Sequence, residues 1–349
     1  MLRILILAAL IWWGGRFFGL PRNLRFGLLA VLFAAVLAVQ LTLPDGNALR
    51  EGTGGSAAPW LLLGGFAIVA GFYARIVAGL KTRAQPQETK MSQPASTFTE
   101  SELDRYARHI VLRELGGAGQ KKLKQAKVLV IGAGGLGAPA LQYLAAAGAG
   151  TIGVIDDDTV DNANLQRQVI HRDADIGKPK VFSAQAAMQA QNPYIEVRAY
   201  NRRLTEEVAE ELFAEYDLIL DGTDNFETRY LANRTAVALR KPLISGALSQ
   251  WEGQLSVFHP AQGGPCYQCI FPEAPAPGLA PSCSEAGVIG PLPGVVGSMM
   301  AVEAVKKITG AGAVLQGEML IYDGLYGETR KIRMARQPDC PVCGSAGHS

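Results

Sequence analysis

The chain has 349 residues and a mass of 37.1 kDa, enough for about two domains. Apolar residues make up 48% of it and charged residues 18%, and the net charge is +2, which excludes a disordered chain and a strongly basic nucleic-acid binder. That total conceals two unlike parts, since residues 1–90 hold nine Lys/Arg against three Asp/Glu, whereas residues 91–349 hold 24 against 28. A basic, apolar head therefore precedes a mildly acidic body.

Three stretches of the head are apolar enough to meet lipid. Residues 2–20 carry Arg3 and Arg16 and read as a short span, an interfacial helix or a signal-like region, with Trp12, Trp13, Phe17 and Phe18 suited to an interface. Residues 26–43 form an almost wholly apolar run stopped by Pro44, and residues 60–80 contain a single charge, Arg75. Crossing a hydrocarbon layer of about 30 Å takes about twenty helical residues, so both runs are long enough to span it. A core helix of a globular protein seldom runs that far without a polar face. Arg16, Arg22 and Arg25 precede the first span and Lys81, Arg83 and Lys90 follow the second, whereas the loop between the two holds only Arg50. The positive-inside rule then places both flanks in the cytoplasm. We expect a multi-pass membrane-anchoring region over residues 1–83, a flexible linker rich in Gln, Pro, Ser and Thr over 84–98, and a cytoplasmic catalytic domain over 99–349.

In the body, Thr99-Glu100-Ser101-Glu102 has the capping-box pattern and predicts a helix from Glu100 to about Arg113. Residues 127–131 read as a strand, followed by Gly132-Ala133-Gly134-Gly135-Leu136-Gly137, an Ala-rich helix to about Gly148, and a strand over 152–155 that ends at Asp156. Helices near 180–190, 206–214 and 227–240 alternate with strands near 195–200 and 217–220. This alternation predicts an α/β fold, a Rossmann-like doubly wound sheet that is mainly parallel. Beyond Pro242 the pattern turns β-rich and Gly/Pro-rich, with a helix near 295–308.

The glycine turn suits a nucleotide for physical reasons. Gly132 permits the tight turn, Gly134 lets the backbone approach a phosphate, and Gly137 lets the helix pack on the sheet. Asp156 stands where a carboxylate holds ribose hydroxyls. A dehydrogenase would share these features. Residues 156–168 add Asn164 and Arg167, Gly177-Lys178-Pro179-Lys180 adds a second cation, and Asp224 follows another strand. Taken alone, Arg167 and Lys180 would read as a solvated loop face and Asp224 as a helix cap. Together, at carboxyl ends of strands, they supply the charge neutralisation that attack on a triphosphate needs.

Five cysteines occur, all from Cys266 onward. Cys266/Cys269 and Cys340/Cys343 are two CxxC pairs, and each can supply two vertices of a tetrahedral Zn²⁺ site, predicting a closed Cys₄ structural centre rather than a redox pair. Cys283 is left over, a nucleophile candidate with no nearby histidine in sequence to lower its pKa.

Residues from about Arg105 to Cys343 resemble the ubiquitin-activating-like family of MoeB, ThiF and HesA. The motifs that carry the resemblance are Arg105-Tyr106-Ala107-Arg108, the glycine turn, Asp156 with Asn164-Leu165-Gln166-Arg167-Gln168, Lys180, Thr223-Asp224-Asn225, Ser282-Cys283-Ser284-Glu285-Ala286-Gly287-Val288 and the paired CxxC motifs. The resemblance implies a homodimeric adenylyltransferase that uses Mg-ATP to activate the C-terminal glycine of a small ubiquitin-like sulfur carrier ending in Gly-Gly. It implies that Gly135, Asn164, Arg167 and Lys180 meet the phosphates, that Asp156 holds the ribose, that Asp224 positions Mg²⁺, and that Arg108 enters the partner subunit's site. It also places Cys283 in a loop over the carrier tail. Only six residues follow Cys343, so no rhodanese domain is expected and sulfur would come from a separate donor. Three other readings compete. An NAD-dependent oxidoreductase is disfavoured by Arg167, Lys180 and the cysteine pairs. A dehydratase acting on tRNA threonylcarbamoyl-adenosine is disfavoured by the same cysteines and by the acidic body, so no nucleic-acid partner is expected. An inactive membrane scaffold would be expected to have lost Asp224 or Arg167.

Overall fold

Residues 2–84, 97–276 and 283–344 are described by a computed structural model, in which the chain divides into two units, Met1–Pro94 and Ala95–Ser349. The linker expected over 84–98 lies almost wholly outside the described residues.

The first unit is helical, with α1 (Leu2–Phe17), α2 (Arg22–Thr42), α3 (Ala48–Gly52) and α4 (Ala58–Ala84). The span expected over 26–43 is α2, which starts four residues earlier, and the span over 60–80 falls within α4. α2 and the Ala58–Val77 part of α4 are both long and apolar enough to cross a membrane. α1 has only 16 residues. Aromatic contacts join the helices, with Trp12 and Phe26 at 5.2 Å between ring centroids and Phe33 and Trp60 at 6.3 Å. A Cβ on Gly64 would lie 2.7 Å from the Phe33 ring, so α2 and α4 approach closely there. The α2–α4 connection is closed by polar groups: Gln40 Nε2 donates to Thr53 Oγ1 at 2.7 Å, and Trp60 Nε1 donates to the Thr53 carbonyl at 3.0 Å. The outward faces remain apolar, with Leu62 76% and Phe66 77% exposed.

The second unit opens with α5 (Glu100–Arg105), where both halves of the capping box form: Thr99 Oγ1 accepts from the Glu102 N–H and the Glu102 carboxylate from the Thr99 N–H. The helix stops well short of Arg113. Tyr106 leaves the helical conformation and buries its ring, its hydroxyl accepting from Asn192 Nδ2 at 2.8 Å, and a short α6 (Ala107–Ile110) follows. The next helix, α7 (Gly116–Gln125), was not foreseen, because three glycines and three lysines obscure its apolar spacing.

Eight strands form one sheet: β1 (Lys127–Ile131), β2 (Thr151–Ile155), β3 (Glu196–Tyr200), β4 (Leu218–Asp221), β5 (Leu243–Leu248), β6 (Glu252–Phe258), β7 (Glu318–Asp323) and β8 (Glu328–Arg333). Their order is β3-β2-β1-β4-β5-β6-β7-β8. The first five strands pair in parallel and the last three antiparallel, which matches the doubly wound, mainly parallel sheet expected. Seven further helices complete the unit: α8 (Gly137–Ala147), α9 (Lys180–Gln191), α10 (Glu206–Ala214), α11 (Phe226–Ala238), α12 (Tyr267–Ile270), α13 (Cys283–Ala286) and α14 (Pro291–Thr309).

Side-chain alternation along the strands produces two cores. Val128, Val130, Leu218 and Leu220 face one side, packed with residues of α8, α9 and α14, whereas Leu129, Ile131 and Ile219 face the other, packed with residues of α10 and α11. β1 lies between β2 and β4, so successive connections leave in opposite directions at this point of the sheet. An open α/β sheet forms its ligand crevice there. The register places Ile131 opposite both Ile155 and Asp221, which brings the loops after β1, β2 and β4 side by side.

Candidate active site

These three loops open a cleft of about 790 Å³. The glycine turn follows β1. Gly132 has φ +91°, a left-handed conformation that favours glycine. A Cβ on Gly137 would fall 1.9 Å from the Gly132 carbonyl oxygen, so only glycine lets α8 start directly on the turn. The turn is tied to β2 by Asp156, whose Oδ2 accepts from the Ala133 N–H at 2.7 Å and whose Oδ1 accepts from the Asp158 N–H at 2.8 Å. Burial raises the Asp156 pKa above its ordinary value, against the lowering effect of those two donors and of Lys180.

Gly132, Gly134, Gly135, Asp156, Arg167, Lys180 and Asp224, proposed from the sequence, all line this one cleft. Asn164 does not line it. Its Oδ1 instead accepts from the Arg167 guanidinium at 2.8 Å, which together with the Ala163 carbonyl aims that cation. Lys180 has a buried stem, and its ammonium pairs with the exposed Asp158 carboxylate at 2.6 Å. Asn225, not Asp224, caps α11 by accepting from the Thr228 N–H. The Asp224 carboxylate is exposed and carries no partner among the described residues. The Gln168 side chain also lines the cleft, and its amide oxygen is buried without a partner among the described residues. An unspent acceptor, two cations and a turn of backbone N–H groups form a donor and acceptor set that fits a polyphosphate nucleotide. The exposed Asp224 carboxylate lines the same cleft.

Sequence reasoning missed what holds the Thr223–Asp224 loop. Asp221, buried at the end of β4, accepts from the Thr223 N–H at 3.0 Å and the Thr223 hydroxyl at 2.6 Å, and from Ser245 at 3.0 Å. Arg229 lies 3.6 Å from the same carboxylate and donates to Ser245, to the Gly246 carbonyl and to the Thr223 carbonyl. A signal was present: Arg229 stands in the first turn of α11, where a cation opposes the helix dipole unless a buried anion holds it.

Arg108 is exposed, makes no ion pair among the described residues, and does not line the cleft. The chain's own fold therefore leaves it outside the site. Cys283 begins α13, and its side chain lies outside what the structure describes.

Away from the cleft, Cys266, Cys269, Cys340 and Cys343 converge, all buried. Their sulfurs lie 3.8 Å (Cys266–Cys269), 3.5 Å (Cys266–Cys340) and 3.4 Å (Cys269–Cys343) apart, all four within 4.8 Å of one another. Four sulfurs bound to one zinc at about 2.3 Å would sit roughly 3.8 Å apart, so the cluster fits a closed tetrahedral ion. Burial raises Cys266, and raises Cys343 to about 11, whereas at Cys340 the N–H groups of Cys343 and Val342 outweigh burial and bring the thiol to about 7.

Comparison with known proteins agrees with this architecture. The chain is 52% identical over 251 residues to a sulfur carrier protein adenylyltransferase of Thermus thermophilus, a match covering 71% of this chain and 93% of that protein. It is 52% identical over 252 residues to the probable adenylyltransferase/sulfurtransferase MoeZ of Mycobacterium tuberculosis, covering 71% of this chain and 64% of that protein. The latter match thus spans less than two thirds of that relative. Among solved structures, the E. coli MccB complex with MccA-N7isoASN shares the fold with a TM-score of 0.62 at 23% identity, over 72% of this chain and 77% of that one. The sequence model of the ThiF family matches residues 106–342, the whole sheet and its cleft, and the chain belongs to the ThiF family.

Proposed function

We propose that this enzyme adenylates the C-terminal glycine of a small ubiquitin-like sulfur carrier protein, using ATP, for later sulfur transfer. The observation that carries this reading is the meeting of the glycine turn, Asp156, Arg167, Lys180 and Asp224 in one cleft, in a chain 52% identical to a sulfur carrier protein adenylyltransferase. A carboxylate accepts sulfur poorly because oxide is a poor leaving group. Attack by the terminal carboxylate oxygen on the α-phosphorus forms a new P–O bond, the bond to the β-phosphate breaks, and pyrophosphate leaves. The chain's part is to align and to neutralise. Asp156 holds the ribose, the N–H groups of the glycine turn and the cations Arg167 and Lys180 receive the phosphates, and Asn164 steers Arg167. Asp224 would hold Mg²⁺, which adds charge neutralisation at the phosphates.

In this reading the active form is a homodimer, and Arg108 of the partner subunit completes each site. The four paired cysteines hold a structural zinc, which closes the chain's end against the sheet domain. Residues 1–83 anchor the enzyme in a membrane, supported by the two apolar helices and their exposed faces. An apolar surface of that extent has a free-energy cost in water that lipid removes. The catalytic domain, residues 99–349, works on the cytoplasmic side, where ATP is supplied. The test is ATP–pyrophosphate exchange with a purified carrier ending in Gly-Gly. Exchange that appears only with the carrier is the expected result. Exchange without a carrier, or hydride transfer from a nicotinamide, would overturn it.

A further inference from the structure

Behind the glycine turn lies a histidine that the proposed chemistry does not use. His171 is 6% exposed and does not line the cleft. Its Nε2 lies 2.9 Å from the Ala133 carbonyl oxygen, and its Nδ1 lies 2.9 Å from Ser183 Oγ, which in turn donates to Asp175 at 2.8 Å. A carbonyl oxygen only accepts, so Nε2 carries a proton whatever the state of Nδ1.

The Ala133 carbonyl and the Gly134 N–H belong to one planar peptide, and no peptide bond among the described residues is cis. The two groups therefore point in opposite directions. The bond to His171 thus turns the Gly134 N–H away from the histidine, and Gly134 and Gly135 line the cleft, which His171 does not. The preceding peptide is held independently, through the Ala133 N–H and Asp156. Gly134 has no Cβ, so the 133–134 peptide could flip with little steric cost. Flipped, it would present a carbonyl dipole to an anion. His171 is the side chain that bonds this carbonyl.

We propose that His171 is a positioning residue that fixes the 133–134 peptide, so that the glycine turn offers an N–H and not a carbonyl to the phosphates of a bound nucleotide. This rests on the nucleotide reading of the cleft. It acts on phosphate affinity and leaves the ribose site at Asp156 alone.

The experiment is calorimetric titration of full-length protein with ATP and, separately, with adenosine. His171→Phe keeps a ring and removes the donor. His171→Gln keeps an amide N–H that reaches the place of Nε2. We expect His171→Phe to weaken ATP binding about tenfold or more, the size of one lost charge-directed hydrogen bond, with adenosine unchanged. His171→Gln should stay within about threefold of the parent protein. Ser183→Ala leaves the donor present but frees the ring, and should show a smaller loss confined to ATP; it carries the test should His171→Phe fail to fold. Parent-like ATP affinity in His171→Phe, or equal losses for ATP and adenosine, would overturn the positioning role. A parent protein that binds no ATP would instead overturn the nucleotide reading itself, so the two failures are distinguishable.

Discussion

The two units place the same kinds of side chain on opposite sides of their backbones. In the body, Val128, Leu129 and Val130 of β1 are fully enclosed between helices. In the head, Leu62, Phe66 and Ile68 of α4 stand 73–77% exposed. Apolar content therefore does not say where a residue goes; the length of the run does. The β1 run lasts five residues before a glycine turn ends it, a length that two helical layers can cover. The α4 run covers Ala58–Val77 of a 27-residue helix, long and apolar enough to cross a membrane. Every side chain proposed for the chemistry or for metal binding lies in the body.

The sharpest way to separate the two units is Asp224→Ala. It should lower carrier-dependent ATP–pyrophosphate exchange by several orders of magnitude, roughly 3–5 kcal/mol of transition-state stabilisation, while the protein sediments with membranes as before. Ordinary exchange in this variant would remove Asp224 from the site.

Core substitutions sharpen the comparison next. Leu129→Ala should cost about 2–5 kcal/mol in equilibrium unfolding of the body, whereas Leu62→Ala should leave that transition in place. Equal costs would make the outer face of α4 a protein core and not a lipid surface.

Removing the head entirely should have little effect on the chemistry. A truncated chain starting at Ser92 should be soluble, hold one zinc per subunit, and exchange within about threefold of the full-length rate. Full-length protein should resist carbonate extraction from membranes. A truncated body that folds but no longer exchanges would make the head part of the working enzyme.

The smallest effect concerns pH. Burial holds the Asp156 pKa above its ordinary value even though two N–H groups donate to it. On the proposed reading, the ionised form accepts from the ribose hydroxyls. ATP affinity should therefore be full at neutral pH and decline as pH falls through that raised value, earlier than for an exposed aspartate. In Asp156→Asn, affinity should be lower throughout and lack that decline, as measured by ATP titration across acidic pH.

Local rules made most of the elements legible in the chain. Residues 127–131 match β1, residues 206–214 match α10, and the capping box at Thr99 forms as its spacing requires, because each depends on neighbours within a few residues. The glycine turn and the paired cysteines were legible for the same reason: a left-handed φ and a two-residue ligand spacing are properties of short segments. Tyr106 shows where this stops. Its segment reads as continuous helix, yet a partner 86 residues away, Asn192, takes its hydroxyl out of the helical path.

Long-range packing alone decided the rest. That Arg229 anchors the loop carrying Asp224, and that His171 reaches the carbonyl of Ala133, both depend on the register that sets β1 between β2 and β4. Both contacts are hydrogen bonds made by buried side chains, Arg229 and His171. Such a bond forms only when distant segments exclude water around both partners, a condition that no short stretch of sequence can encode.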